Sequence, residues 1–261
     1  MSGELRGQHV VVTGGGSGLG AAIGAAFANR GADLTLMGRT RETIDAQAKA
    51  LASTSSGRVR PIVCDVSNGA AVARAFGTAA KDLGPVRVLI NNAGHAEAAP
   101  FEQSTRKSWD VTIAVNLTGT FLCIQQVLPA MLAAGNGRVV NIASTAGLRG
   151  YPQVAAYCAA KHGVVGLTRA LAMETSRTGV TVNAICPGYI EGTPMLAEAI
   201  GNVMRATGRS LDEAKAALAK GSPGGRLATI QEVTDAIVRL CLPDGSATTG
   251  QSIVIGGDDQ S

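Results

Sequence analysis

Tyr157 and Lys161, in Tyr157-Cys158-Ala159-Ala160-Lys161, stand four residues apart and thirteen residues beyond Ser144. At positions i and i+4 the two side chains share one face of a helix. A free phenol ionises near ~10, and a neighbouring ammonium favours the phenolate and draws that value down. A phenol tuned in this way exchanges a proton with an alcohol or carbonyl oxygen near neutral pH. The Ser144 hydroxyl is suited to hold the same oxygen by a second hydrogen bond. Proton exchange there is half of a redox reaction. The other half needs a hydride carrier, and the N-terminus carries the pattern of a site for one.

His9–Thr13 (HVVVT) is a β-branched run that ends in Gly14-Gly15-Gly16-Ser17-Gly18-Leu19-Gly20, and an Ala-rich helical stretch follows over about 20–30. A strand that stops at a glycine loop and opens a helix turns backbone amides and a positive helix end toward a pyrophosphate. The spacing is Gly14-x3-Gly18-x-Gly20 rather than GxGxxG. Its place at the head of a βαβ series favours a dinucleotide cradle over a tight structural turn. The next strand, Asp33–Met37, runs into Gly38, Arg39, Thr40 and Arg41. An NAD-specific cradle carries an acid there for the ribose hydroxyls. None is present, and Glu42 lies too far along. Arg39 is suited to clamp a 2′-phosphate. NADP(H) is therefore the expected cofactor, with NAD(H) the alternative.

The elements that must position these groups alternate regularly. Helices are expected over Arg41–Ala52, Ala70–Leu83, Tyr157–Thr175 and Thr229–Leu240, and strands over Val59–Cys64, Val86–Asn91, Arg138–Ala143, Val180–Cys186 and Ser252–Ile255. Trp109–Ala134 reads as one long apolar helical stretch, interrupted in pattern by Gly119 and Pro129, with Trp109 packing in the core or against a helix rather than serving as a stacking platform. Strand–helix alternation implies βαβ units, and near-continuous apolar strands imply a parallel sheet covered on both faces. The expected fold is α/β: a single-domain, Rossmann-like, doubly wound parallel sheet of about seven strands over residues 1–261, without linker or repeat. Residues 187–226 are the least regular, with a helical pattern only at Leu211–Lys220, and read as a lid over about 189–226. Its cations Arg205, Arg209, Lys215, Lys220 and Arg226 have two readings. They are surface charges balanced by Glu198, Asp212 and Glu213, or a receiver for an acidic carrier such as coenzyme A or phosphopantetheine.

Composition narrows the function classes. Of 261 residues, 46% are hydrophobic and 16% charged, the pattern of a globular chain, and only 3% are aromatic, so Ala, Val, Leu and Ile must build the core. The net charge is +4, with no Lys/Arg run or basic-aromatic stripe to suggest nucleic acid. Cys64, Cys123, Cys158, Cys186 and Cys241 are widely separated and form no CxxC, which fits buried thiols in a reducing compartment. With three His lacking ligand spacing, no metal site is expected. No uninterrupted apolar run reaches ~18 residues, and no signal-like segment precedes the first strand. A cytoplasmic protein is expected.

Together these motifs resemble the short-chain dehydrogenase/reductase family over nearly the whole chain. Thr13–Gly20 is similar to its TGxxxGxG loop, Asn91-Asn92-Ala93-Gly94 to its NNAG segment, and Cys64-Asp65-Val66 to the segment beside the adenine amine. Asn116 matches its helix asparagine, Ser144 with Tyr157 and Lys161 its catalytic set, and Pro187-Gly188 its PG turn. The Thr that usually ends PGxxxT arrives one residue late, as Thr193. The basic loop residue of many NADP-using members is Ser17 here, and Gly256-Gly257-Asp258 stands where DGG is usual.

The resemblance implies site roles. Asn116, Ser144, Tyr157 and Lys161 are catalytic, with Asn116 anchoring a proton-relay water. Gly14, Gly16, Ser17, Gly18, Leu19, Gly20, Arg39, Thr40, Asp65, Val66, Asn92, Ala93, Gly94, Tyr157, Lys161, Pro187, Gly188, Ile190 and Thr193 bind the dinucleotide. Ser144 and Tyr157 meet the substrate, with His95, Tyr151, Gln153 and Tyr189 as further candidates from their positions. The implied reaction is NADPH-dependent reduction of a 3-oxoacyl thioester, on CoA or a carrier protein. The alternatives are a dehydrogenase of a small or cyclic secondary alcohol or sugar, and a non-catalytic dinucleotide-binding regulatory or partner subunit. A homotetramer is implied too, and the apolar run Thr120–Leu132 fits a buried helix interface.

Overall fold

A computed structural model describes residues 4–256, so Gly257 and Asp258 of the C-terminal motif lie outside it. Its order is β1 (His9–Thr13), α1 (Gly18–Ala28), β2 (Asp33–Gly38), α2 (Arg41–Ala52), β3 (Val59–Val63), α3 (Gly69–Leu83) and β4 (Val86–Asn91). Then come α4 (Arg106–Ile113), α5 (Gly119–Ala133), β5 (Gly137–Ile142), α6 (Ala155–Thr175), β6 (Val180–Pro187), α7 (Pro194–Thr207), α8 (Leu211–Lys220), α9 (Ile230–Cys241) and β7 (Ser252–Ile255). The strands form one sheet in the order β3-β2-β1-β4-β5-β6-β7, every pair parallel.

Side-chain alternation divides the strands between two cores. Val10, Val12, Val88 and Ile90 face one side and pack with Ile23 and Phe27 of α1 and Ile237 of α9. Val11, Leu89, Val139 and Val182 face the other, against Phe76 of α3 and Val127 and Met131 of α5. Central strands are thus apolar on both faces. The outer strands β3 and β7 are covered less and keep partly exposed residues throughout. All five cysteines are buried with free thiols.

Reversal of the strand order between β1 and β4 opens a crevice at the carboxyl edge of the sheet, where ligands of such sheets bind. The glycine loop follows β1, Arg39 follows β2, Asp65 follows β3, Asn92 follows β4, Ser144 follows β5 and Gly188 follows β6. One sheet edge therefore gathers motifs that lie far apart along the chain.

Three regions differ from the sequence expectation. Residues 194–207 form a helix, α7, capped by the Thr193 hydroxyl, started by Pro194 and stopped by Gly208 at φ 70°. Proline is pre-organised for a first helical turn and glycine for the left-handed stop. The long helix runs on through Pro129, which sits inside α5, and its irregularity is a π-helical turn over Ala114–Thr118, directly before Gly119. Trp109 is 38% exposed, which excludes the core and leaves helix packing of its two expected placements. The combined stretch 106–133 is long and apolar enough to cross a membrane by length and composition, yet Cys123, Ile124, Val127 and Met131 are buried against the sheet.

Candidate active site

The glycine loop is shaped by close backbone approach. Gly14 and Gly18 adopt left-handed φ of 67° and 51°, and a Cβ on Gly20 would sit 2.0 Å from the Gly14 carbonyl oxygen. A Cβ on Gly16 would meet the Thr43 hydroxyl at 2.7 Å. Ser17 is exposed, and its side chain makes no capping bond to α1, so the first amides of that helix, including those of Leu19 and Gly20, keep no side-chain acceptor. Those residues fit a dinucleotide pyrophosphate in conformation and polarity. Asn92 braces the loop: its Nδ2 donates to the Thr13 and Gly14 carbonyls at 3.0 and 3.3 Å. The Thr13 hydroxyl accepts from the backbone amides of Asn92 and Ala93, both at 3.0 Å. Thr13 thus ties the loop to the strand beside it, a role that the TG pair in the sequence could have suggested.

At the far end, exposed Arg39 leaves β2 and Thr40 caps α2 by backbone alone. The Asp65 carboxylate accepts from the Ser67 amide and hydroxyl at 2.9 and 2.7 Å, and the Ser67 hydroxyl with the nearby Arg39 charge holds it below its ordinary range. Val66 is buried, packed so closely on Gly119 that a Cβ there would lie 2.8 Å from it.

Ser144, Tyr157 and Lys161 converge. The Ser144 hydroxyl accepts from the Ala146 amide at 3.1 Å and lies close enough to the Tyr157 phenol to favour its ionised form. Lys161 is 4% exposed, donates its Nζ to the Ile142 carbonyl at 2.7 Å, and lies 5.5 Å from the Tyr157 ring centroid. Burial decides both ionisations. It pushes the Tyr157 phenol up to about 12, with Ser144 opposing, and pulls Lys161 down to about 8. The sequence expectation of a phenol lowered by the lysine is therefore corrected. A low-dielectric site penalises phenolate and ammonium alike, and the ammonium is engaged by a carbonyl. Cys186 and Tyr189 stand close enough to Tyr157 to act on it electrostatically.

Asn116 is fully buried in the π-helical turn, a feature common at functional sites. Its Nδ2 donates to the His95 and Thr112 carbonyls at 2.6 and 2.9 Å, and its Oδ1 accepts from the His95 amide at 3.3 Å. The side chain is committed to protein groups and pins the segment after Gly94. A Cβ on Gly94 would lie 4.0 Å from the Lys161 ammonium.

The remaining candidates separate. Tyr151 donates its hydroxyl to Thr145 and accepts from Arg149, both at 2.9 Å, so it braces the segment beside Ser144. Arg149 reaches on to the Gly221 carbonyl at the end of α8. Gln153 holds a left-handed φ of 65°, and its carbonyl accepts from the Ala99 amide at 2.8 Å. A non-glycine residue held there stores backbone strain, shortly before Tyr157. Pro187 is buried, the Gly188 amide donates to Ile255, and Ile190 bridges to Ala228. The late Thr193 donates to the Ile190 carbonyl at 2.8 Å while capping α7, and a Cβ on Gly18 would lie 3.6 Å from Pro194. That stacks the start of α7 on the phosphate loop.

A cavity of ≈ 450 Å³ lies between α7 and α8, lined by Thr193, Pro194, Leu196, Ala197, Ile200 and Lys215 among others. Lys215 pairs with Glu191 at 3.2 Å and Arg226 with Glu232, while Glu213 caps α8 through Ser210. Lys215 and Arg226 are thus answered by acids other than those expected, while Arg209 acts on Glu213 as expected.

The chain is similar to known proteins over nearly its whole length. The short chain dehydrogenase family model matches residues 8–202. The 2-(S)-hydroxypropyl-CoM dehydrogenase 3 of Xanthobacter autotrophicus is 34% identical, with 98% of each chain covered. The D-threitol dehydrogenase of Mycolicibacterium smegmatis is 39% identical over 97% of this chain and 93% of its own. A crystal structure of a variant of the actinorhodin polyketide ketoreductase with NADPH superposes with a TM-score of 0.91, at 34% identity over 98% of each chain. On the strength of these matches, the chain belongs to the short-chain dehydrogenase/reductase family and is an oxidoreductase that interconverts a ketone and a secondary alcohol with a nicotinamide dinucleotide.

Proposed function

We propose that the protein is an NADPH-preferring reductase of a 3-oxoacyl thioester, acting through Tyr157, Ser144 and Lys161. The observation that carries the reading is the meeting of Tyr157, Ser144 and buried Lys161, whose Nζ lies 5.5 Å from the Tyr157 ring, at the sheet edge that holds the glycine loop. When bound, the reduced nicotinamide supplies the hydride. Tyr157 then gives its proton to the developing alkoxide, and Ser144 hydrogen-bonds that oxygen as charge builds. Lys161, an ammonium beside the ring, favours the phenolate left behind and meets the nicotinamide ribose. Asn116 acts as a positioning residue for the His95 segment. Oxidation runs the same steps in reverse.

Arg39, in a Gly38–Arg41 segment at the end of β2 that carries no acid, supports NADPH. The apolar cavity beside Lys215 supports a substrate with an acyl arm, and the NADPH-bound polyketide ketoreductase supports the same class. Likeness to a D-threitol dehydrogenase favours a second reading, oxidation of a small polyol. A non-catalytic dinucleotide-binding subunit is the third, and the presence together of Ser144, Tyr157 and Lys161 argues against it. The whole described chain acts as one catalytic domain, with residues 189–226 as its lid, in the cytoplasm. Exposed Phe121, Val111 and Trp109 on α4 and α5 support a homotetramer, with light scattering as its check.

The test is initial-rate oxidation of NADPH and NADH with acetoacetyl-CoA, with Tyr157→Phe alongside. Fast NADPH turnover that vanishes in the variant, while NADPH still binds, bears the reading out. Turnover retained in Tyr157→Phe sinks the catalytic assignment, and turnover of polyols alone sinks the thioester.

A further inference from the structure

A polar chain crosses the apolar centre of the sheet. Asn91 Nδ2 on β4 donates to Asn141 Oδ1 on β5 at 2.9 Å, and Asn141 Nδ2 donates to the Thr168 hydroxyl on α6 at 2.9 Å. The Thr168 hydroxyl passes its own proton to the Val164 carbonyl at 2.8 Å. Asn91, Asn141 and Thr168 are all buried, among Ile90, Val139, Val140 and Val182. The Asn91 Oδ1 has no partner among the described residues. A half-met polar chain in an apolar layer is a poor source of stability, because each unmet acceptor costs more than a mean hydrogen bond returns.

Its placement has a use. Thr168 lies seven residues beyond Lys161, about two helical turns, so both side chains leave α6 on the face toward β5. Asn141, which holds Thr168, immediately precedes Ile142, whose carbonyl holds the Lys161 ammonium. The helix is therefore pinned to one strand at two points, adjacent on the strand and two turns apart on the helix. Two such pins fix both the rotation of α6 and its travel along its axis.

We propose that Asn141 and Thr168 are a positioning pair that sets the height of α6, and so where Tyr157 and Lys161 stand relative to Ser144. Without the Thr168 pin, only the Lys161 ammonium ties this face of α6 to β5 by a side chain, and that tie is needed elsewhere when Lys161 meets a ribose. Misplacement of a reacting group by ~1 Å costs about a hundredfold in rate, so even a fractional slip of α6 is visible in turnover. The proposal rests on the roles given above to Tyr157 and Lys161.

The test compares Thr168→Val, which keeps the shape and loses the hydroxyl, with Thr168→Ser, which keeps the hydroxyl. Lys161 is titrated by 13C NMR in lysine-labelled protein, its signal assigned with Lys161→Met, so the readout needs no substrate. Thr168→Val is expected to move the Lys161 midpoint by about half a pH unit or more, and Thr168→Ser to restore it. With acetoacetyl-CoA or whichever ketone is turned over, kcat falls about tenfold in Thr168→Val while KM stays within about twofold. A Lys161 titration and kcat unchanged in a folded Thr168→Val, whatever its melting temperature, overturn the proposal. Thr168→Ala serves as a second hydroxyl-free variant. If neither folds, the pair serves stability alone and the proposal is wrong.

Discussion

Replacing Lys161 by Met should shift resistance to unfolding, relative to the parent, in a pH-dependent way that favours the variant most at neutral pH and progressively less as pH rises. Burial holds the Lys161 ammonium down, from 10.5 to about 8. Between those values the unfolded chain binds a proton that the native chain has released, so native stability rises with pH across that window. Below about 8 both states are protonated and the cost of burying the charge is fully present. At ~1.36 kcal/mol per pH unit, the drop corresponds to about 3 kcal/mol. Met has similar length and no charge, so the variant escapes this cost. It also leaves the Ile142 carbonyl without its donor, a loss of about 1–3 kcal/mol that does not depend on pH. The pH-dependent part is therefore the clean signal. Urea unfolding of dinucleotide-free protein at about pH 7, 9 and 10 should show the stability of Lys161→Met relative to the parent falling by about 2–3 kcal/mol from the lowest to the highest pH. Tyr157 does not confuse the comparison, because its phenol, raised from 10.0 to about 12, lowers stability only above pH 10 and does so in both proteins. Parallel pH curves for variant and parent would refute the argument that Lys161 is held as a costly, poised charge.

Arg39→Ala should raise KM for NADPH by about 10- to 100-fold and leave KM for NADH nearly unchanged, since a charge-assisted bond to a phosphate contributes about 1.5–3 kcal/mol; equal effects on both cofactors would refute the 2′-phosphate role. Gly20→Ala should abolish NADPH binding, measured by fluorescence titration, because its Cβ would lie 2.0 Å from the Gly14 oxygen. Arg149→Ala should speed amide hydrogen exchange across 211–222 while leaving α6 protected, because it cuts the bond from the Ser144–Tyr157 loop to Gly221.

The strands were legible because β-branched and apolar runs bounded by polar or glycine residues write themselves into the sequence: HVVVT, VRVLIN and SIVI match β1, β4 and β7 residue for residue. The order of motifs along the chain was enough to bring Ser144, Tyr157 and Lys161 to one edge. α7 was missed because the mixed Gly, Pro and charged composition of 187–226 reads as irregular, although Thr193-Pro194 at the start and Gly208 at the end are a start and a stop. The π-helical turn at Asn116 was invisible, since its cause is a pair of bonds to His95, 21 residues away in the chain. The direction of the Tyr157 ionisation was misread for a related reason. Spacing reports that a lysine is near, while desolvation depends on everything packed around the pair.

Strand order also sets a timetable for synthesis. β1 is made first and sits mid-sheet, yet its neighbour β4 begins 73 residues later (86 − 13). At ribosomal rates of about 5–20 residues per second, that edge waits roughly 4–15 s for its partner. If β1 to β3 pair during the wait as they do in the finished sheet, their open flank is Val10, Val11 and Val12, a ready template for another nascent chain. A strand fully buried in the finished enzyme is thus its most sociable one while it is being made, and shielding by a chaperone matters most over the interval before residue 86 emerges.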